Sequence, residues 1–253
     1  MKTVFFVLSY NNPIMTDRLV ENLHRVVKKD FLLIVLDNGS DVDKVSKYTT
    51  HKLEKNVRMT GGFNEGIKII SSEHEDYDNI WFFTNDCFFL ENDVCPLESS
   101  EKFLKKYPKL GILHPSESSE VKVIYDVHHD PKIKGVKVVT EYDIVCPIFT
   151  KGAIEAIGGE FNPRLYQGWG LDHESSFLVR KAGMDVGINH EIVVGHNTSS
   201  TYDRGLDNLH PNRDSYYSAA MAEMYTVFNE MYGLHWHQRF NLTYSGNRGK
   251  ILS

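Results

Sequence analysis

The sequence predicts an α/β fold, a Rossmann-like and mainly parallel sheet flanked by helices, with a helical extension at its carboxyl end. Three observations carry that reading. Residues 3–8 (TVFFVL), 31–36 (FLLIVL) and 79–83 (NIWFF) are continuous apolar runs of strand length, as expected where both faces of a parallel sheet are covered. Segments of helical periodicity separate them. Strand, helix, strand, helix, strand in that order is the pattern of an open α/β sheet.

The elements follow in order. Asn12 is placed to cap the first helix and Pro13 suits its first turn; Leu19, Leu23 and Val26 then recur at helical spacing. The second run closes in the turn Asp37-Asn38-Gly39-Ser40. Met59-Thr60-Gly61-Gly62 opens a second helix that continues through Phe63, Ile67 and Ile70. The middle is less regular. Residues 121–125 and 136–139 read as short strands, 143–150 as a further apolar strand, and 151–157 as a short helix ending at Gly158-Gly159. Residues 175–182 form a helix stopped by Gly183, and 192–194 a late strand. The segment 214–232 is a strong terminal helix rich in methionine and tyrosine. Its Met221, Met224 and Met231 are expected to face the core or a second subunit, which makes a homodimer through this helix a candidate assembly. No internal repeat or low-complexity linker interrupts the chain. It divides into one domain over 1–205, with halves 1–95 and 96–205, and a helical extension over 206–253.

Composition narrows the field. The chain has 253 residues, 41% of them hydrophobic, enough for one substantial core. A formal charge of −6 and a pI near 6.0 supply no general attraction to nucleic acid or anionic membrane. Arg239, Arg248 and Lys250 tilt the tail basic, which reads as a solvated terminus. Cys87, Cys95 and Cys146 are an odd count without metal spacing and fit a reducing compartment, so a cytoplasmic protein is expected. The opening MKTVFFVLSY is too short in its apolar part for a signal peptide and lacks a cleavage site. No stretch approaches the roughly 20 apolar residues of a membrane span. The sequons at Asn38, Asn197 and Asn241 are therefore chance matches.

In an open parallel sheet, ligands bind in the crevice beyond the carboxyl ends of the strands. Three successive strands end there in Ser9-Tyr10-Asn11-Asn12, Asp37-Asn38 and Thr84-Asn85-Asp86. Singly, each has an ordinary explanation: a helix-start turn, an Asp-Asn-Gly turn, a capping carboxylate. Together on one edge they point to a shared site. Gly61-Gly62 ahead of a helix offers backbone N–H groups to an anion, or is a plain glycine turn. It has neither the spacing of a dinucleotide fold nor the ending of a P-loop. His128-His129-Asp130 reads as a surface loop rather than a metal pair.

The ordered set SYNNP, LDNGS, GGFNEGI and IWFFTND resembles the amino-terminal half of glycosyltransferase family 2 and its rhamnosyltransferase-like relatives. Ile157-Gly158-Gly159-Glu160-Phe161, Gly168-Trp169-Gly170-Leu171-Asp172-His173-Glu174 and Val194-Gly195-His196 resemble later motifs of that family, so the likeness spans residues 3–200. It implies a GT-A fold and sugar transfer from a nucleoside diphosphate-sugar, usually with inversion. Tyr10 and Asn11 would line the nucleoside pocket beside Ser9, and Asp37 would accept a hydrogen bond from the base, most often uracil. Gly62 and Asn64 would shape the donor floor. Thr84-Asn85-Asp86 takes the place of the Asp-x-Asp element, with Asp86 as metal ligand. Asp172 would be the catalytic base, with Glu174 as fallback, and His196 a second metal ligand or a diphosphate contact. Two positions depart from the family: Thr84 replaces the first acidic residue, and Leu171 stands where relatives often carry glutamate.

These residues suit the chemistry. A divalent cation, Mn2+ or Mg2+, would neutralise the departing diphosphate, and a carboxylate near the acceptor hydroxyl would remove its proton. Each role has an alternative: Asp172 as a helix cap, His196 as a buried histidine bonded to backbone, Trp169 as core packing rather than a sugar platform. A nucleotidyltransferase and a non-catalytic sugar- or nucleotide-binding module are the competing classes. The acceptor is open, a saccharide first, with small molecules, protein or a modified DNA base behind it.

Overall fold

The computed structural model describes residues 1–118, 126–197, 213–242 and 249–253. The expected strand at 121–125, the boundary at 205/206 and Arg248 lie outside them. Among the described residues, one ten-stranded mixed sheet organises the chain. Its amino half is parallel throughout: β1 (Thr3–Ser9) sits between β2 (Leu32–Asp37) and β4 (Asn79–Thr84), and β2 continues to the short β3 (His51–Lys52). The helices α1 (Pro13–Val26) and α2 (Arg58–Glu73) are the crossovers, and the three apolar runs are the central strands, as expected.

The carboxyl half is mixed. β6 (Leu110–Glu117) and β9 (Asp185–His196) run parallel, and β7 (Val136–Val139) is antiparallel to β9. The short β8 (Ile148–Thr150) joins the halves, antiparallel to both β4 and β6. The apolar strand expected over 143–150 is thus only its last three residues. Residues 143–147 turn alongside β4 instead, with the carbonyls of Val145 and Pro147 accepting the Thr84 and Phe82 N–H groups at 2.9 Å each. β5 (Cys87–Phe89) turns back from β4 and pairs antiparallel with the end of β9.

Alternation along each strand feeds two cores. Phe6 and Phe82 face one side with Phe63, Phe149 and Phe161, while Phe5, Trp81 and Phe83 face the other with α1 and α3 (Pro96–Lys106). Phe82 meets four of these rings at centroid distances of 5.3–5.8 Å, so the first core is an aromatic stack. α4 (Lys151–Ala156) starts under a Thr150 cap, and α5 (Leu171–Lys181) starts four residues earlier than expected. Its N-cap is Gly170 at φ 86°, where a Cβ would come within 2.8 Å of Met224 and Phe228. That close approach seats α6 (Arg213–Tyr232), and α7 (Trp236–Leu242) follows.

The extension is therefore built into the main core: Met224, Val227, Phe228, Trp236 and Phe240 belong to the same cluster as Phe82. Met224 is buried and Met231 exposed, so the methionines do not form one stripe. The tail is not a free solvated end. β10 (Ile251–Leu252) pairs with β7, and the Lys106 ammonium and Tyr107 hydroxyl both bond the Ser253 carbonyl. Among the described residues no helix is long and apolar enough to cross a membrane.

Candidate active site

The strand ends line up as the sequence implied. In register, Ser9 stands opposite Asp37, and Leu8 opposite Thr84, so the polar residues after β1, β2 and β4 share the carboxyl edge. Asp37 is fully buried. Its Oδ1 accepts the Ser40 N–H at 2.9 Å, while Oδ2 has no partner among the described residues, an acceptor open to a donor from a ligand. Asn11 takes φ 49°, a left-handed conformation that Asn tolerates. Its N–H donates to Ser40 Oγ at 2.8 Å and its Oδ1 accepts the Asp41 N–H at 2.9 Å, clamping the two loops together. Tyr10 lies half-buried beside them.

Ser9 and Asn85 have a bracing role. Ser9 Oγ and Thr16 Oγ1 are 2.7 Å apart, and Asn85 Nδ2 donates to Thr16 Oγ1 at 3.0 Å, which fixes the 84–86 turn on α1. Asn12 sits at the N-cap of α1, yet its side chain does not cap the helix. Its carbonyl accepts the Thr16 hydroxyl and N–H instead.

Asp86 and His196 meet through sheet pairing. Cys87 of β5 is opposite His196 of β9, and the Asn197 N–H donates to the Asp86 carbonyl at 2.8 Å. His196 Nε2 lies 3.5 Å from Asp86 Oδ1, with both side chains largely buried. Burial opposes charge on each. On Asp86 it is outweighed by the contact with His196, its charge and the Thr84 hydroxyl, which hold the carboxyl below its ordinary range. On His196 it is outweighed by Asp86, then Asp143 and Glu117, which lift the imidazole above its own. Thr84, in place of the first acid, thus supports the second.

Among the described residues no three His, Cys, Asp or Glu side chains converge tightly enough to hold a metal ion by themselves. A carboxylate and an imidazole at 3.5 Å do fit a cation that takes its other ligands from phosphate and water. The donor set suits Mn2+ or Mg2+ better than Ca2+, and it is Asp86 and His196 that would hold the ion.

Asp172 lies in the first turn of α5, 7% exposed, and its Oδ1 accepts the His173 N–H at 2.9 Å. It follows the N-cap position, which Gly170 occupies. Three further groups join the crevice unforeseen: Asp143, Glu117 and His114. Burial, then the Asp172 charge, raises the Asp143 carboxyl to about 6, with His196 acting the other way. Glu117 and His114 end β6, both fully buried, with Nε2 3.9 Å from Oε1. Burial and then Asp143 push Glu117 up to about 8, and burial holds His114 down to about 3. LGILHPSE has the same signature as the other strands, an apolar run with a polar end, but Pro115 masks it; the structure places Pro115 at a register shift.

Four expected site residues have other work. Gly62 lies inside α2, where a Cβ would come within 2.5 Å of Leu8, so it serves packing rather than anion binding. The helix begins at Arg58, and the Val57 and Arg58 N–H groups at its start donate to Asn38 Oδ1 and Asn56 Oδ1, ahead of both glycines. The Asn64 amide bonds the backbone of Phe161 twice, at 2.9 and 2.8 Å, tying α2 to the Gly158-Gly159 turn. Glu174 Oε1 accepts from Tyr232 at 2.5 Å and Asn162 at 3.1 Å, which anchors α6 on α5. Trp169 is half-buried and edge-on to Tyr217 at 4.7 Å, a packing contact that leaves it partly accessible. In the 128–130 segment His129 bonds Ser116 and faces the buried His190 ring at 6.0 Å. Two clefts of about 640 and 360 Å3 lie elsewhere, against Tyr232 and the α6–α7 corner and beside Glu174.

No family model and no curated protein sequence matches the chain. Solved structures do share its fold. GalNAc-T7 with UDP, GalNAc and Mn2+ superposes with a TM-score of 0.61 at 12% identity, over 78% of this chain and 44% of that one. S. aureus TarS 1–349 gives 0.55 at 13% identity over 93% and 74%, and S. aureus TarS 0.54 at 12% over 91% and 44%. This chain thus spans less than half the length of the GalNAc-T7 chain. At such identities the likeness establishes architecture: a mixed sheet flanked by helices in the GT-A arrangement of these proteins.

Proposed function

From this GT-A fold we propose that the chain is a glycosyltransferase. It moves a sugar from a nucleoside diphosphate-sugar, UDP-linked in the leading case, to an acceptor hydroxyl with inversion. The observation that carries the proposal is the polar carboxyl edge of the sheet, with the first turn of α5 facing it. Together they hold the buried Asp37 carboxylate with an open Oδ2, the Asp86–His196 pair and Asp172. Asp37 Oδ2 accepts an N–H from the base, between Tyr10 and Asn11. Asp86 and His196 bind the cation with the diphosphate, and a bound Mn2+ or Mg2+ supplies charge neutralisation on the leaving group. GalNAc-T7 was crystallised with UDP, GalNAc and Mn2+, which supports that assignment. Asp172 takes the acceptor proton at the oxygen not engaged by the His173 N–H. Asp86, Asp143 and Asp172 make the crevice acid-rich, which supports an uncharged saccharide hydroxyl over a DNA acceptor.

Turnover of UDP-sugars with saccharide acceptors, read as UDP release and product, tests this. Asp172→Asn should lower transfer by about 10²–10⁴-fold while UDP still binds, and Glu174→Gln should retain transfer if correctly folded. Wild-type turnover by Asp172→Asn would remove the base assignment. Pyrophosphate release from a nucleoside triphosphate and a sugar phosphate would point to nucleotidyl transfer.

A further inference from the structure

We propose that Glu117 is a positioning residue of the Asp86–His196 pair: it accepts the His196 Nδ1–H and so turns Nε2 toward the cation. This rests on reading that pair as the cation site. The parallel register sets Glu117, at the end of β6, opposite Val194 of β9. Paired residues of neighbouring strands point to one side, and residues two apart along a strand share it, so Glu117, Val194 and His196 occupy one face. Glu117 is fully buried, and neither carboxyl oxygen has a hydrogen-bond partner among the described residues. His196 Nδ1 is buried and equally unpartnered, while Nε2 meets Asp86. An unpaired buried donor and an unpaired buried acceptor each cost stability, and joining them relieves both. Histidines that hold metals usually donate their second N–H to a carboxylate or carbonyl, which fixes tautomer and ring orientation.

The neighbours of Glu117 leave His196 as the donor. His114 engages the Pro115 carbonyl through Nδ1 at 2.5 Å. Its Nε2 is then the bare acceptor of a neutral imidazole and has no proton to give. Asp143, the other neighbour, is itself a carboxyl group.

The test is Mn2+ affinity in the presence of UDP, read from the EPR signal of free Mn2+, for wild type, Glu117→Ala, Glu117→Gln and Asp86→Ala. Folding is checked by circular dichroism. Glutamine keeps an acceptor in place, so Glu117→Gln should stay within about threefold of wild type, whereas Glu117→Ala should lose about 10–100-fold. Unchanged affinity in Glu117→Ala, with binding abolished in Asp86→Ala, overturns the role of Glu117 and leaves the cation site standing. A wild type without Mn2+ affinity overturns both. Should Glu117→Ala not fold, the imidazole 15N spectrum of the wild type with Mg2+ and UDP decides. A protonated, slowly exchanging His196 Nδ1 supports the role, and a bare Nδ1 with protonated Nε2 overturns it.

Discussion

His173 makes the stability of this protein depend on alkaline pH, by an amount the structure sets. Its Nδ1 lies 3.1 Å from Glu141 Oε1, with the side chain 16% exposed, and its backbone N–H donates to Asp172 Oδ1, which keeps that carboxylate close by. Burial opposes the charged ring, but Asp172 and Glu141 outweigh it and lift the imidazole from 6.5 to about 9. A group whose folded pKa is raised contributes stability fully below its unfolded pKa and loses it as pH rises through the folded one. The window is therefore 6.5 to about 9, and the shift is worth about 3 kcal/mol at about 1.36 kcal/mol per unit. Urea unfolding of wild type and His173→Gln across that range measures it, because groups common to both cancel in the difference. The wild-type advantage should shrink by about 3 kcal/mol from the acid to the alkaline end. A difference that is flat, or grows with pH, would refute the ion-pair account of His173.

Two other outcomes separate packing from chemistry. Asn64→Ala strands the Phe161 N–H and carbonyl and should cost about 2–4 kcal/mol in urea unfolding, with UDP affinity unchanged; a selective loss of UDP binding would restore Asn64 to the donor floor. Gly170→Ala forces a side chain into left-handed backbone and against Met224 and Phe228, and should lower stability by about 2–5 kcal/mol. A neutral effect would show that α6 is not seated there.

The fold was legible where local pattern and tertiary role agree. TVFFVL, FLLIVL and NIWFF are apolar on both faces because they sit between two cores, and each ends in polar residues that the parallel register aligns. Legibility failed where long-range pairing decides. Pro115 broke the pattern of β6, so Glu117 and His114 went unread. Residues 143–147 look like a strand, yet satisfy β4 as a turn, which turns Asp143 into the crevice. β9 runs through Asp185–His196, and its polar Asn189, His190 and Glu191 hid all but its apolar end. Among site residues, Asp37 and Asp86 fall along the expected edge, His196 joins it at the end of β9, and Asp172 lies in the first turn of α5. Gly62, Asn64 and Glu174 each tie two elements together, which a motif cannot tell from facing a ligand. Those ties, to Leu8, Phe161 and Tyr232, are made with residues distant in sequence.

The central claim is that the carboxyl-edge crevice binds a nucleoside diphosphate with a cation at Asp86. Isothermal titration of UDP with and without Mn2+, on wild type and on Asp86→Ala, tests it most directly. The account predicts UDP binding that Mn2+ strengthens in the wild type, and loss of that strengthening in a folded Asp86→Ala. Absence of nucleotide binding to the wild type, or an Mn2+ effect of equal size in Asp86→Ala, would contradict it.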